Sequence, residues 1–75
     1  MTPEQEARLH IDELLTSSGW VIQDAKQINL GASFGVVVRE YPLHDGFADY
    51  LLFVNRVPIG VVEAKAVGIT LSGVI

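Results

Sequence analysis

Residues 36–66 contain three apolar segments separated by short turn signals, and this pattern constrains the fold more than any other feature. The segments cover residues 36–41, 47–54 and 59–66 and are rich in β-branched and aromatic residues. Strands at this spacing predict an antiparallel three-stranded meander over residues 36–66. Because the strands are apolar at successive positions, we expect the sheet to be covered on both faces.

The N-terminus carries the signals of a helix over residues 3–17. Thr2 is a good N-cap, Pro3 suits the first helical position, and Gln5 completes a capping box. One helix covers only one face of a sheet, so the second cover is expected from a partner or from sequence outside the chain. The uncharged stretch 67–75 has no polar tail. We therefore expect residues 1–75 to be a single α/β domain fragment of something longer, able to self-associate through its open sheet.

Composition and charge exclude several classes of protein. The chain has no cysteine, so it forms neither a disulfide nor a thiolate zinc site. Its net charge of −4 makes it a poor autonomous ligand of nucleic acid. No apolar run is long enough to span a bilayer, and the acidic N-terminus is unlike a signal peptide. These features predict a cytoplasmic protein without a membrane partner.

Three charged residues interrupt the apolar strands. Asp49 lies in the second predicted strand, and Glu63 and Lys65 lie in the third. Burying an unpaired charge costs several kcal/mol even after relaxation. Side chains alternate along a strand, so Glu63 and Lys65 share one face.

The loop between these two strands decides where Asp49 lies. A three-residue loop, Asn55-Arg56-Val57, pairs Val54 with Pro58 and places Asp49 directly opposite Glu63, with Cβ atoms about 4.5–5.5 Å apart. A two-residue loop puts Asp49 on the other face. The first register brings two carboxylates together, and a divalent cation with oxygen ligands, such as Mg²⁺, would relieve their repulsion. The alternative is a structural ion network of Lys65 with the two acids.

The sequence resembles the PD-(D/E)xK nuclease fold, and more narrowly the N-terminal nuclease domain of the restriction subunit of type I restriction–modification enzymes. Three stretches carry this resemblance: the opening helix from Glu4 to Gly19-Trp20, the strand Val38-Arg-Glu-Tyr-Pro42, and the hairpin from Gly46 to Ala66. The hairpin sequences Ala-Asp49-Tyr-Leu-Leu-Phe and Val-Val-Glu63-Ala-Lys65-Ala are its most specific part.

The resemblance implies a type I site-specific deoxyribonuclease that hydrolyses DNA phosphodiesters with Mg²⁺. Asp49, Glu63 and the carbonyl of Ala64 would bind the metal, and Lys65 would orient or deprotonate the attacking water. Glu4, or Glu6 if the alignment slips, matches the acidic residue of the family's first helix. Implied partners are double-stranded DNA and the modification and specificity subunits of the complex.

The chain also departs from the family pattern. The Gln and Tyr of the family's following helix are missing, and so is the ATP-driven motor. Ala48 stands where the family's name has proline. Two alternatives stay open: another nuclease of the superfamily that acts in repair or junction resolution, and a non-catalytic interaction module.

Overall fold

The structure, a computed structural model, describes residues 1–65 and 68–74, with side chains for residues 1–65. It combines one helix with a five-stranded mixed sheet. The elements in chain order are α1 (Pro3–Ser17), β1 (Val21–Asp24), β2 (Gly35–Leu43), β3 (Gly46–Val54), β4 (Val57–Lys65) and β5 (Gly68–Val74). The strands follow one another across the sheet in sequence order, with β1 parallel to β2 and every later pair antiparallel.

Helix α1 begins as its sequence predicts. The Thr2 side chain accepts a hydrogen bond from the Gln5 backbone N–H at 3.1 Å, and the Gln5 side chain accepts one from the Thr2 N–H at 2.8 Å. Ile11 is buried against the sheet, whereas Leu14, which the periodicity places on the same face, is exposed. In the described part of the chain, no helix is long and apolar enough to cross a membrane.

The predicted α/β architecture and the antiparallel meander are present as β2, β3 and β4, but the prediction of a three-stranded sheet was wrong. Strand β1 pairs in parallel with β2, and β5 extends the sheet beyond β4. Ala66, which we expected to end the third strand of the meander, lies outside the described residues.

The sheet packs on both faces. On the α1 side, Ile11 joins a buried cluster with sheet residues. The opposite face carries a second cluster, against which Ala25 and Leu30 pack. These two residues lie between β1 and β2, so the chain itself supplies part of the cover that we expected from outside it. The members of the two clusters are Ile11, Val37, Tyr50, Val62 and Ala64, and Val36, Val38, Ala48, Leu51, Phe53 and Val61.

Candidate active site

The β3–β4 turn contains two residues, not the three that we expected. Val54 pairs with Val57, which leaves Asn55 and Arg56 as the turn. Both have positive φ values, 49° and 69°, as a type I′ hairpin turn requires. Taken alone, this turn would place Asp49 and Glu63 on opposite faces of the sheet.

A β-bulge in β4 restores the alignment. Phe53 pairs with Pro58 while Leu52 pairs with Gly60, so Ile59 is an extra residue without a partner on β3. Beyond the bulge the pairing continues to Tyr50 opposite Val62. The pairing ends there, one position before Asp49 on β3 and Glu63 on β4, and continuing the same register would place these two residues opposite each other, as the three-residue loop predicted.

The Asp49 carboxylate is held from two sides. Its Oδ2 accepts the backbone N–H of Ala64 at 2.8 Å, and its Oδ1 accepts a hydrogen bond from Arg8 Nη2 at 2.7 Å. Only 19% of the Asp49 side chain is exposed. Because the N–H and C=O of one residue point to the same side of an extended strand, the Ala64 carbonyl also faces β3.

Glu63 shows the consequence of its position beside Asp49. Partial burial, together with the hydrogen bond and negative charge of Asp49, raises the pKa of Glu63 above its ordinary value. The positive charge of Lys65 opposes this shift. The two carboxyl groups are therefore close enough to repel each other, and Lys65 lies near enough for its charge to act on Glu63. The Lys65 side chain is exposed to solvent.

Glu4 approaches this group only through Arg8. Its carboxylate is 62% exposed and lies 4.0 Å from Arg8 Nη2, the nitrogen that binds Asp49. Glu6, the fallback residue, is exposed on the first turn of α1. The structure thus brings Asp49, Glu63 and Lys65 together on the sheet and leaves Glu4 at the border of the group.

Arg8 and Glu40 belong to the same group, and the sequence analysis missed both. Arg8 Nη1 donates to Glu40 Oε1 at 3.0 Å. Glu40 has a left-handed backbone with a φ of 51°, uncommon for a residue other than glycine. Arg39 and Tyr41 on either side of it pair with Tyr50 and Ala48, so Glu40 lies at the level of Asp49. Counting residues across the β2–β3 hairpin would have revealed this.

A polar network fixes α1 over the sheet beside the site. The Tyr50 hydroxyl lies within hydrogen-bond distance of Asp12 Oδ1, at 2.8 Å, and of the Arg8 carbonyl, at 3.1 Å. Arg39 donates to Asp12 at 3.2 Å and to Asp24 at 3.0 Å. Burial and the nearby Asp12 raise the pKa of Tyr50, so its hydroxyl stays a donor. This network holds Arg8 next to Asp49.

An open cleft of about 770 Å³ borders the site on the α1 side. Its lining contains three cationic and three acidic side chains. Both arginines in the lining are paired with carboxylates, so the cleft is not a strongly basic groove. The six charged residues are Arg8, Asp12, Asp24, Lys26, Arg39 and Glu40.

The donor atoms fit a hard divalent cation. Asp49 and Glu63 supply carboxylate oxygens that repel each other, and Ala64 supplies a carbonyl that faces them. Mg²⁺ binds through one or two protein carboxylates and keeps several waters. Among the described residues, no group of three or more acidic, histidine or cysteine side chains is arranged to hold a metal ion.

Comparison with known proteins connects the chain with restriction enzymes. Over 73 aligned residues it is 36% identical to the type I restriction enzyme EcoKI endonuclease subunit of Escherichia coli (strain K12). The match covers 83% of this chain but only 6% of that subunit. No protein-family model matches the chain, and no solved structure matches it.

Proposed function

We propose that this chain is the nuclease region of a type I restriction endonuclease subunit and has a PD-(D/E)xK core. In this role it would cut DNA phosphodiesters with Mg²⁺. One observation carries the proposal: the β3–β4 hairpin joins the carboxylates of Asp49 and Glu63 in a chain similar to a type I endonuclease subunit. An ATP-driven motor and the modification and specificity subunits belong to the proposal as parts outside these residues.

Each side chain has a role in this proposal that follows from its position. Asp49 and Glu63 bind the cation, and the Ala64 carbonyl is a further ligand. When bound, Mg²⁺ acts as a Lewis acid on the phosphate and lowers the pKa of a water ligand. The exposed Lys65 ammonium orients the attacking water and stabilises negative charge on the phosphate. Glu4, at the border, would act through Arg8, whose Nη2 lies 4.0 Å from its carboxylate.

Calorimetric titration of the chain with Mg²⁺ and Mn²⁺ tests the metal site. We expect saturable binding that weakens at least tenfold in Asp49→Asn and in Glu63→Gln. Asp45→Asn is the matched control, because Asp45 is an exposed acid in the β2–β3 turn of the same sheet. Equal affinities in all four proteins, or no binding by the folded wild-type chain, would contradict the proposed site.

Cleavage tests the chemistry, with the complete restriction subunit that the proposal assigns to this chain. Lys65→Ala should retain metal affinity within about twofold and lose cleavage of supercoiled DNA by about 100-fold, as removal of a group acting only in the transition state does. Wild-type cutting rates in this variant would exclude the role of Lys65.

A specific observation also favours a second candidate, the non-catalytic interaction module. Arg8 already neutralises Asp49 and Glu40, so the acids form an ion network without any metal. In that case the titrations show no saturable binding, and Asp49→Asn destabilises the fold by about 1.5–3 kcal/mol, because Arg8 and the Ala64 N–H lose a charged hydrogen-bond acceptor. Metal binding therefore separates the two functions.

A further inference from the structure

The Arg8 guanidinium bridges two acids from neighbouring strands. Nη2 binds Asp49 Oδ1 at 2.7 Å, and Nη1 binds Glu40 Oε1 at 3.0 Å. The other oxygen of Asp49 is engaged by the N–H of Ala64. The oxygen that Arg8 holds is therefore the one through which Asp49 would reach another cation.

A divalent cation on this oxygen would lie beside a positive charge. The Arg8 side chain is only 33% exposed, so solvent screens its charge less than on an open surface. We propose that Arg8 is the resident counter-cation of the acid pair and competes with the divalent cation for Asp49 Oδ1. This inference rests on the proposed metal site and assigns that site a built-in competitor.

Glu40 gives Arg8 a second anchor. Its carboxylate is 68% exposed. It would keep its hydrogen bond with Arg8 Nη1 when Nη2 leaves Asp49. Glu4 lies 4.0 Å from the same guanidinium and is a further acceptor on α1. Arg8 can therefore release Asp49 and still keep Glu40 and Glu4 as charge partners, whereas Asp49 gains a metal ion in exchange. The competition exchanges one cation for another at a single oxygen.

Calorimetry with Mn²⁺ on matched variants tests the competition. Arg8→Gln should bind Mn²⁺ about tenfold more tightly than wild type. Arg56→Gln is the control, because Arg56 is exposed in the β3–β4 turn at the other end of the hairpin, and its loss changes the net charge equally. It should stay within about twofold of wild type. Arg8→Lys, which keeps the charge, should also stay near the wild-type affinity.

The outcomes separate this inference from the proposed function. Wild-type binding with unchanged or weaker binding by Arg8→Gln overturns the competition and leaves the metal site intact. Absence of binding in both proteins overturns both proposals. Tighter binding by Arg8→Gln than by wild type supports both.

A measurement on the wild-type chain does not depend on any variant folding. In an NMR titration with Mg²⁺, the guanidinium resonances of Arg8 should shift along the binding curve, while those of Arg39 stay constant. Metal binding that leaves the Arg8 resonances unchanged would overturn the competition, whatever the behaviour of the variants.

Discussion

At the scale of single residues, Glu63 is in an environment that disfavours its charge. Burial and the adjacent Asp49 raise its pKa in the folded chain. Between the ordinary pKa and this raised value, the folded chain binds more protons than the unfolded chain. The contribution of Glu63 to stability therefore falls as pH rises through that window.

The direction of this pH dependence leads to a prediction for the stability of Glu63→Gln in the absence of metal. At neutral pH the variant should be more stable to unfolding than wild type, because the amide removes the repulsion with Asp49. The difference should shrink as pH falls through the raised pKa, where Glu63 becomes neutral. Urea unfolding between pH 4 and 8 measures it, with Glu13→Gln on the exposed face of α1 as control. A variant less stable than wild type at neutral pH would contradict this account.

At the scale of elements, the sequence predicts the meander and the cap of α1 but not the details of the hairpin. Asn55 suits a positive φ, but Arg56 does not. The residue types therefore do not predict the two-residue turn, in which Arg56 has a φ of 69°. Nothing in Pro58-Ile59-Gly60 identifies Ile59 as the bulged residue. The turn is one residue shorter than expected and the bulge adds one residue to β4, and these two differences cancel by the pair Tyr50–Val62.

The edges of the sheet were harder to predict for a different reason. Strand β1 has four residues, too few for a clear alternating pattern, and its parallel partner is reached through a loop rather than a turn. Arg8 and Glu40 were missed because each pairs with a residue far along the chain, and strand periodicity does not report such contacts. Local patterns therefore located Asp49, Glu63 and Lys65 but not Arg8, the cation that neutralises Asp49.

The bulge allows a test of the hairpin. Deleting Ile59 joins Pro58 to Gly60. The β3 partners of these two residues, Phe53 and Leu52, are already consecutive. The alignment of Glu63 with Asp49 should persist, so the pKa of Glu63 should stay raised in an NMR titration of its carboxyl carbon. Deleting Val61 instead moves every later residue of β4 by one position, which turns Glu63 to the other face and should return its pKa towards the ordinary value. The same pKa in both deletion variants would exclude this register.

At the scale of the whole molecule, the candidate site combines one helix with three strands. Strands β3 and β4 supply the carboxylates and Lys65, β2 supplies Glu40, and α1 supplies Arg8. The network around Tyr50 sets the distance between α1 and the sheet, and hence between Arg8 and Asp49. Movement of α1 relative to the sheet would therefore change the charge at the site directly.

The distribution of charge over the molecule predicts how the chain meets DNA. Its net charge is −4, and the arginines of the cleft beside the site are neutralised by carboxylates. Non-specific DNA binding depends on cations free to displace counterions from phosphate, and proteins that have them reach Kd values of about 10⁻⁴–10⁻⁶ M. We expect the chain alone to bind a labelled 30-bp duplex with a Kd weaker than about 10⁻⁴ M in fluorescence anisotropy at 150 mM salt.

Lowering the salt should strengthen this binding little, because few ion pairs with phosphate form. Saturation at micromolar concentration, with affinity that falls steeply as salt rises, would show a basic surface that the described residues do not present. Under the proposed function, weak binding would place DNA capture outside these residues. The proposed cleavage and the binding of DNA would then belong to different segments, as expected for a chain with a net charge of −4.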